Sequence, residues 1–226
     1  MSLSSELRFA VQGFLSERWE TQEARDIPEP EKLRLGTHAK TLEDAVVLYA
    51  DMADSTALVD NYPPEIVTRL YKAYLHCAAK LVRLHDGVIV SYDGDRIMAI
   101  YSGENSNSKA VKTALMLNFA VSKIINERSG IKIKHVVGID RSNLFASRIG
   151  IRNDNDIVWV GRAANYAAKL SSLGNRYQTY VTDSVYRKMS HSLTGQYEWR
   201  YWREGWKPYA SANPIKVLFS RDQIEF

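Results

Sequence analysis

The stretch GVIVSYDGDRIMAIY, residues 87–101, constrains the fold more than any other part of the chain. Two apolar runs flank Asp93-Gly94-Asp95, a composition that suits a tight hairpin turn. A hairpin this apolar is not stable alone in water, so further strands and a covering layer must lie elsewhere. The run Ala45–Ala50 (AVVLYA), closed by Asp51, supplies another buried strand. Asn61-Tyr62-Pro63-Pro64 then opens a long amphipathic helix that Gly87 ends. Residues 108–127 read as the next helix, and IKIKHVVGID and LFASRIGI as two strands. RNDND reads as a turn, residues 161–173 as a short helix ended by Gly174 and Asn175, and YQTYVT as a strand. A helix starts at Asp183, and PIKVLF closes as a strand. The order β-α-β-β-α-β with extra elements predicts an α+β fold, an antiparallel-rich central sheet with helices packed over it. An N-terminal helix over residues 2–25, with Leu7, Phe9, Ala10, Phe14 and Trp19 near helical spacing, precedes the proline-containing stretch IPEPEKLRLGTHAK. The expected division is residues 1–40, helix and linker, and residues 41–226, one catalytic-sized domain.

Composition removes several classes. The single cysteine, Cys77, rules out an intrachain disulfide or a cysteine-based zinc site. No apolar run nears the ~20 residues of a membrane span, and the N-terminus does not read as a secretory signal. A cytoplasmic location is expected, with no membrane partner. The formal net charge is +4, and the basic residues are scattered rather than interleaved with aromatics. Nucleic acid is therefore not an expected partner, whereas a phosphate-bearing small molecule is compatible.

Two acidic residues sit at strand ends in apolar surroundings: Asp51 after VVLYA, and Asp95 in the hairpin turn. If the strands are neighbours, the carboxylates converge, and a cation or a raised pKa must relieve their repulsion. Hard oxygen ligands suit Mg²⁺ or Mn²⁺. The plainer reading, that each Asp only starts a helix or a turn, stands beside this one. After Asp51, Ala53-Asp54-Ser55-Thr56 leads into a helical stretch whose first N–H groups would seat a phosphate. No GxxxxGK[ST] loop occurs.

LYADMADST, SYDGDRIMAIY and GRAANYAAKLSS, in this order, resemble the three active-site motifs of class III nucleotidyl cyclases, the adenylate and guanylate cyclase family. The resemblance runs from about Asp44 to the C-terminus and implies the class III cyclase catalytic domain. It implies that Asp51 and Asp95, with the backbone carbonyl of Met52, hold two divalent cations, Mn²⁺ or Mg²⁺. Asn165 would orient the ribose. Lys169 stands where the family usually has Arg, a point charge in place of a fork of donors, and Arg162 could share its task. The resemblance further implies a head-to-tail homodimer in which Asp51 and Asp95 of one chain work with Asn165 and Lys169 of the other.

The family's purine cyclases read the base with a polar pair. Ser91 occupies the first of those positions here. Val158 occupies the second, unless Asp156-Ile157 fills it with a short insertion. Neither the adenine nor the guanine pairing is intact. Tyr49, two residues before Asp51, replaces the usual Phe and would narrow a pocket. Arg96, next to Asp95, could donate to a uracil carbonyl or a phosphate. The plain alternatives are core packing for Tyr49 and a surface ion pair for Arg96. These departures resemble the stand-alone pyrimidine cyclases of bacterial Pycsar anti-phage defence. They imply UTP as substrate, cyclic UMP as product, and a separate effector that senses the nucleotide rather than the enzyme. A cytidylate cyclase, a purine cyclase and a degenerate nucleotide-binding module remain alternatives. His76, His85, His135 and His191 read as ordinary. The aromatic cluster of residues 197–206 reads as packing or dimer interface, and Arg203 or Lys207 as a basic group near the triphosphate.

Overall fold

A computed structural model describes residues 2–151, 154–174, 178–202 and 205–226. In chain order the elements are α1 (Leu3–Ser16), β1 (Glu20–Glu23), β2 (His38–Ala53), α2 (Ser55–Asn61), α3 (Pro64–Leu84), β3 (Val88–Asp93), β4 (Arg96–Tyr101) and α4 (Ser106–Phe119). A π-helical turn, Ala120–Ile125, leads into α5 (Asn126–Ser129). Then come β5 (Lys134–Ile151), β6 (Asp154–Val160), α6 (Arg162–Ser171), β7 (Thr179–Thr182), α7 (Asp183–Tyr186), α8 (His191–Gln196), β8 (Arg200–Tyr201) and β9 (Val217–Ser220).

Among the described residues one sheet of nine strands forms, in the order β3-β4-β2-β5-β7-β9-β8. β1 adds beside the first half of β2, and β6 beside the far half of β5. All pairings are antiparallel except β1–β2 and β5–β7. The antiparallel-rich α+β sheet is therefore as expected. β2 is central, and its apolar run is buried on both faces, as a near-continuous apolar strand requires. Val46, Leu48, Ala50 and Met52 face α3 and α4, while Val47 and Tyr49 face α6.

A bulge fixes that alternation. Leu42 pairs with Leu144 and Ala45 with Ser142, so β2 carries one residue more than β5 between those pairs. Asp44 takes the left-handed conformation at φ 50°, and its amide donates to Asn143 Oδ1 at 3.0 Å. The extra residue reverses the side-chain parity, so Leu42 shares a face with Val47.

Two local expectations change. The break expected at Arg141–Asn143 does not occur; β5 runs through it, because the polar Asn143 serves the bulge in β2 rather than a turn. RNDND falls in part on residues 152 and 153, outside the described residues, and Asp154 onward is strand. Asn175 and Tyr177, at the end of one expected helix and the start of one expected strand, also lie outside them. The first helix ends at Ser16, not near residue 25. Glu20–Glu23 instead pairs with His38–Thr41, where the extended β2 offers an open edge, and Trp19 packs edge-on against Phe145. No apolar alternation marks that strand, since all four side chains are exposed. Leu33 is buried, and Ala24 and Ile27 pack against the sheet.

α6 is seated by two contacts. A Cβ on Gly138 of β5 would lie 2.2 Å from the Ala167 carbonyl oxygen, so glycine lets the helix backbone approach. Asp140, whose side chain is wholly buried, accepts from Arg162 Nε at 3.0 Å and from Thr182 and Ser184. Removing one partner of a buried charge exposes its desolvation cost. Arg162 is about half exposed and two hydroxyls remain on Asp140, so Arg162→Ala is expected to lower stability by about 1–2 kcal/mol in urea unfolding. An unchanged midpoint would show that the two hydroxyls alone satisfy Asp140.

Candidate active site

The hairpin turn and the end of β2 build the site. Asp93 pairs with Arg96, leaving Gly94 and Asp95 as a two-residue turn. Gly94 sits at φ 59°, where glycine carries no Cβ penalty. The ladder between β2 and β4 ends at Ala50–Ile97, so Asp51–Ala53 has a strand partner only on the β5 side. The main chain on the other edge is left open toward the turn. Asp54 at φ 60° then bends the chain into α2. Ala57 and Leu58 amides both donate to Asp54 O, which leaves the Ser55 and Thr56 amides at the helix start without such bonds.

Asp51, Asp95, Arg96, Ser55 and Tyr49 come together. Asp51 Oδ2 accepts from an amino group of Arg96 at 2.7 Å. Burial pushes the Asp95 carboxyl above its ordinary range, with the Asp51 charge adding to this; the Ser55 hydroxyl and Asp95's own amide oppose it. Asp95 Oδ2 is buried without a hydrogen-bond partner. Two half-shielded carboxylates, one satisfied by a guanidinium and one short of a partner, fit a cation site. Among the described residues no group of three or more His, Cys, Asp or Glu side chains converges as a metal cage. The described oxygens that could serve a cation here are those of the Asp51 and Asp95 carboxylates. That suits Mg²⁺ or Mn²⁺, which commonly take their remaining ligands from water and substrate phosphates.

Ser91 and Tyr49 both pair with Met98, and Tyr49 also with Gly138. Residues directly opposite share a face, so Ser91, Met98 and Tyr49 form one row beside the carboxylates. Burial raises the Tyr49 phenol above its ordinary pKa, and neighbouring Arg96 partly offsets this.

The third motif lies on α6. Asn165 and Lys169 are one turn apart on α6 and exposed. No described hydrogen bond or ion pair joins either to Asp51 or Asp95. Lys169 Nζ donates to the Pro208 carbonyl at 2.6 Å. Arg162, expected near phosphate, is held by Asp140. Asp54 is exposed and lies 3.8 Å from Lys134 Nζ; Thr56 is exposed. Val158 is on β6, opposite Ser147 and away from the Ser91 row. In the aromatic cluster, Trp199 donates to Leu193 O, Trp202 packs on Tyr180, and Trp206 is buried edge-on to Tyr166. These are packing roles. Lys207 is exposed, and Arg203 lies outside the described residues. His135 is not ordinary: it is buried, and neither ring nitrogen has a hydrogen-bond partner. Tyr74 on α3 is the other polar residue that sequence reading missed. The signal was a polar residue on the apolar face of its element.

Residues 37–204 match the family described as the adenylate and guanylate cyclase catalytic domain. A uridylate cyclase of Burkholderia cepacia is 44% identical over 85% of this chain and 87% of that protein. A uridylate cyclase of Xanthomonas perforans is 42% identical over 84% of this chain and 85% of that protein. The crystal structure of the adenylyl cyclase CyaB from P. aeruginosa superposes with a TM-score of 0.71 at 18% identity, covering 82% of this chain and 97% of that one. The fold, the hairpin carboxylate and the family match over most of the chain agree, and the chain belongs to the adenylate and guanylate cyclase catalytic domain family.

Proposed function

We propose that the chain is a uridylate cyclase, converting UTP to 3′,5′-cyclic UMP and pyrophosphate. The observation that carries this reading is the Ser91–Met98–Tyr49 row beside Asp51, which offers a purine neither a Lys nor a Glu. The relatives named uridylate cyclase, similar over most of both chains, support it.

In the reaction the ribose 3′-hydroxyl attacks the α-phosphorus, the bond to pyrophosphate breaks, and the hydroxyl proton is lost. Asp51, Asp95 and the Met52 carbonyl would hold two divalent cations, which when bound lower the hydroxyl's pKa and neutralise phosphate charge. Arg96 occupies Asp51 here, so it must release that carboxylate when substrate arrives. Its freed donors then suit a uracil carbonyl or a phosphate. The Ser55 and Thr56 amides and the hairpin edge contact the phosphates, with Asp54 shaping the turn. Tyr49 limits the depth of the base pocket, and Ser91 offers a small polar contact. Asn165 orients the ribose and Lys169 holds phosphate charge. Their exposure, with no described bond to the carboxylates of their own chain, supports a head-to-tail homodimer in which they act on the partner's nucleotide. Arg162 has a structural part instead. We read the product as a second messenger in anti-phage defence, received by a separate effector, and the enzyme as cytoplasmic. No described helix is long and apolar enough to cross a membrane.

The first test is product analysis with each of the four nucleoside triphosphates and Mn²⁺ or Mg²⁺. Cyclic UMP should dominate. Cyclic CMP would move the assignment to a cytidylate cyclase, and a purine product would remove the pocket argument. Binding without turnover would favour a nucleotide-binding module. Tyr49→Ala should shift the UTP-to-ATP preference toward ATP, on the order of 10-fold in kcat/KM. Full retention of the UTP preference would make Tyr49 a packing residue only. Asp51→Asn and Asn165→Ala should each lose activity. Equal mixing and reassociation should restore about one quarter of wild-type turnover, since half the dimers regain one intact site. No recovery on mixing would count against sites shared between subunits.

A further inference from the structure

Beneath the carboxylates lies a group of polar atoms that the reaction above does not use. Tyr74, on the inner face of α3, is 0% exposed, and its hydroxyl has no hydrogen-bond partner. His135 of β5 is 2% exposed, and both ring nitrogens lack partners. The two rings meet edge to face with centroids 5.8 Å apart. His135 stands opposite Met52 in the ladder, so the pair underlies the strand end that carries Asp51. Asp95 Oδ2 is the fourth buried oxygen or nitrogen atom in this region without a partner, and Arg96 Nε, beside it in the chain, is a fifth.

The surroundings are apolar: Ala50, Met52, Ile97 and Val137 belong to the same cluster as Tyr74. Phenylalanine at position 74 would fill such a space without burying a hydroxyl. Buried polar groups in native proteins are nearly always satisfied, so groups that lack partners close together point to one another. Both Asp51 and Asp95 act on the Tyr74 phenol, adding to the burial that pushes it well above its ordinary range. His135 is pushed down to about 3 by burial, so it is neutral and offers one donor and one acceptor.

We propose that Tyr74, braced by His135, is a positioning residue for the Asp51–Asp95 pair, its hydroxyl holding the inner oxygen of Asp95 through one ordered water. A neutral donor fixes the carboxylate's orientation without competing for its charge, the part that outer-shell partners play around metal ligands. This rests on the two-cation reading and deepens it.

Two measurements on the full chain separate the two. The first is Mn²⁺ binding in the presence of 3′-deoxy-UTP, followed by electron paramagnetic resonance. Tyr74→Phe should weaken Mn²⁺ affinity on the order of 10-fold. The second is a thermal double-mutant cycle on metal-free protein. Tyr74→Phe should lower the melting temperature by about 2–4 °C when Asp95 is present and have little effect in an Asp95→Ala background. Unchanged Mn²⁺ affinity, or the same thermal effect in both backgrounds, would overturn the proposal. Coupling in the metal-free protein without Mn²⁺ binding by the wild type would uphold the Tyr74–Asp95 contact and count against the two-cation reading.

Discussion

Everything in the site depends on the parity of β2. This strand is buried on both faces, so each residue faces either α3 and α4 or α6. A shift of one residue would exchange the two sets. The bulge at Asp44, held by Asn143, supplies the extra residue that lets Leu42 and Val47 share a face. On that face Tyr49 and Asp51 follow in step, while Met52 points to Tyr74 and His135. The Ser91–Met98–Tyr49 row and the charged residues are thus near neighbours along one ladder.

The second constraint is charge. Asp51 and Asp95 are brought near each other by the pairing of β2 with the hairpin, and neither is fully hydrated. Arg96 answers one of them at 2.7 Å, and burial pushes up the other. A site of this kind is built to receive positive charge. The pair between buried Asp140 and exposed Arg162 is a different use of the same chemistry. It ties α6 to β5 and fixes the helix that carries Asn165 and Lys169.

Much was legible in the sequence. Apolar runs bounded by turn residues marked the strands, and Asp93-Gly94-Asp95 marked the hairpin because a two-residue turn requires a positive φ at Gly94. The order of three short motifs carried the family. What was not legible lacked a local signature. Glu20–Glu23 joins the sheet through its backbone alone, so its side chains carry no alternation. The continuity of β5 through Arg141–Asn143 depends on a bulge in another strand. The pairing of Arg162 with Asp140 joins residues 22 apart and has no local signature either.

The sequence by itself determined most of the element types, the positions of the two carboxylates at strand ends, and the order of the family motifs. These follow from periodicity, turn chemistry and motif order, which are local properties. Only the tertiary structure decided which of these residues meet. It placed Arg96 on Asp51, left Asn165 and Lys169 exposed on α6, and buried Tyr74 and His135 beside the end of β2. The reason is physical: pairing across strands 45 or more residues apart sets these distances, and no spacing along the chain encodes them.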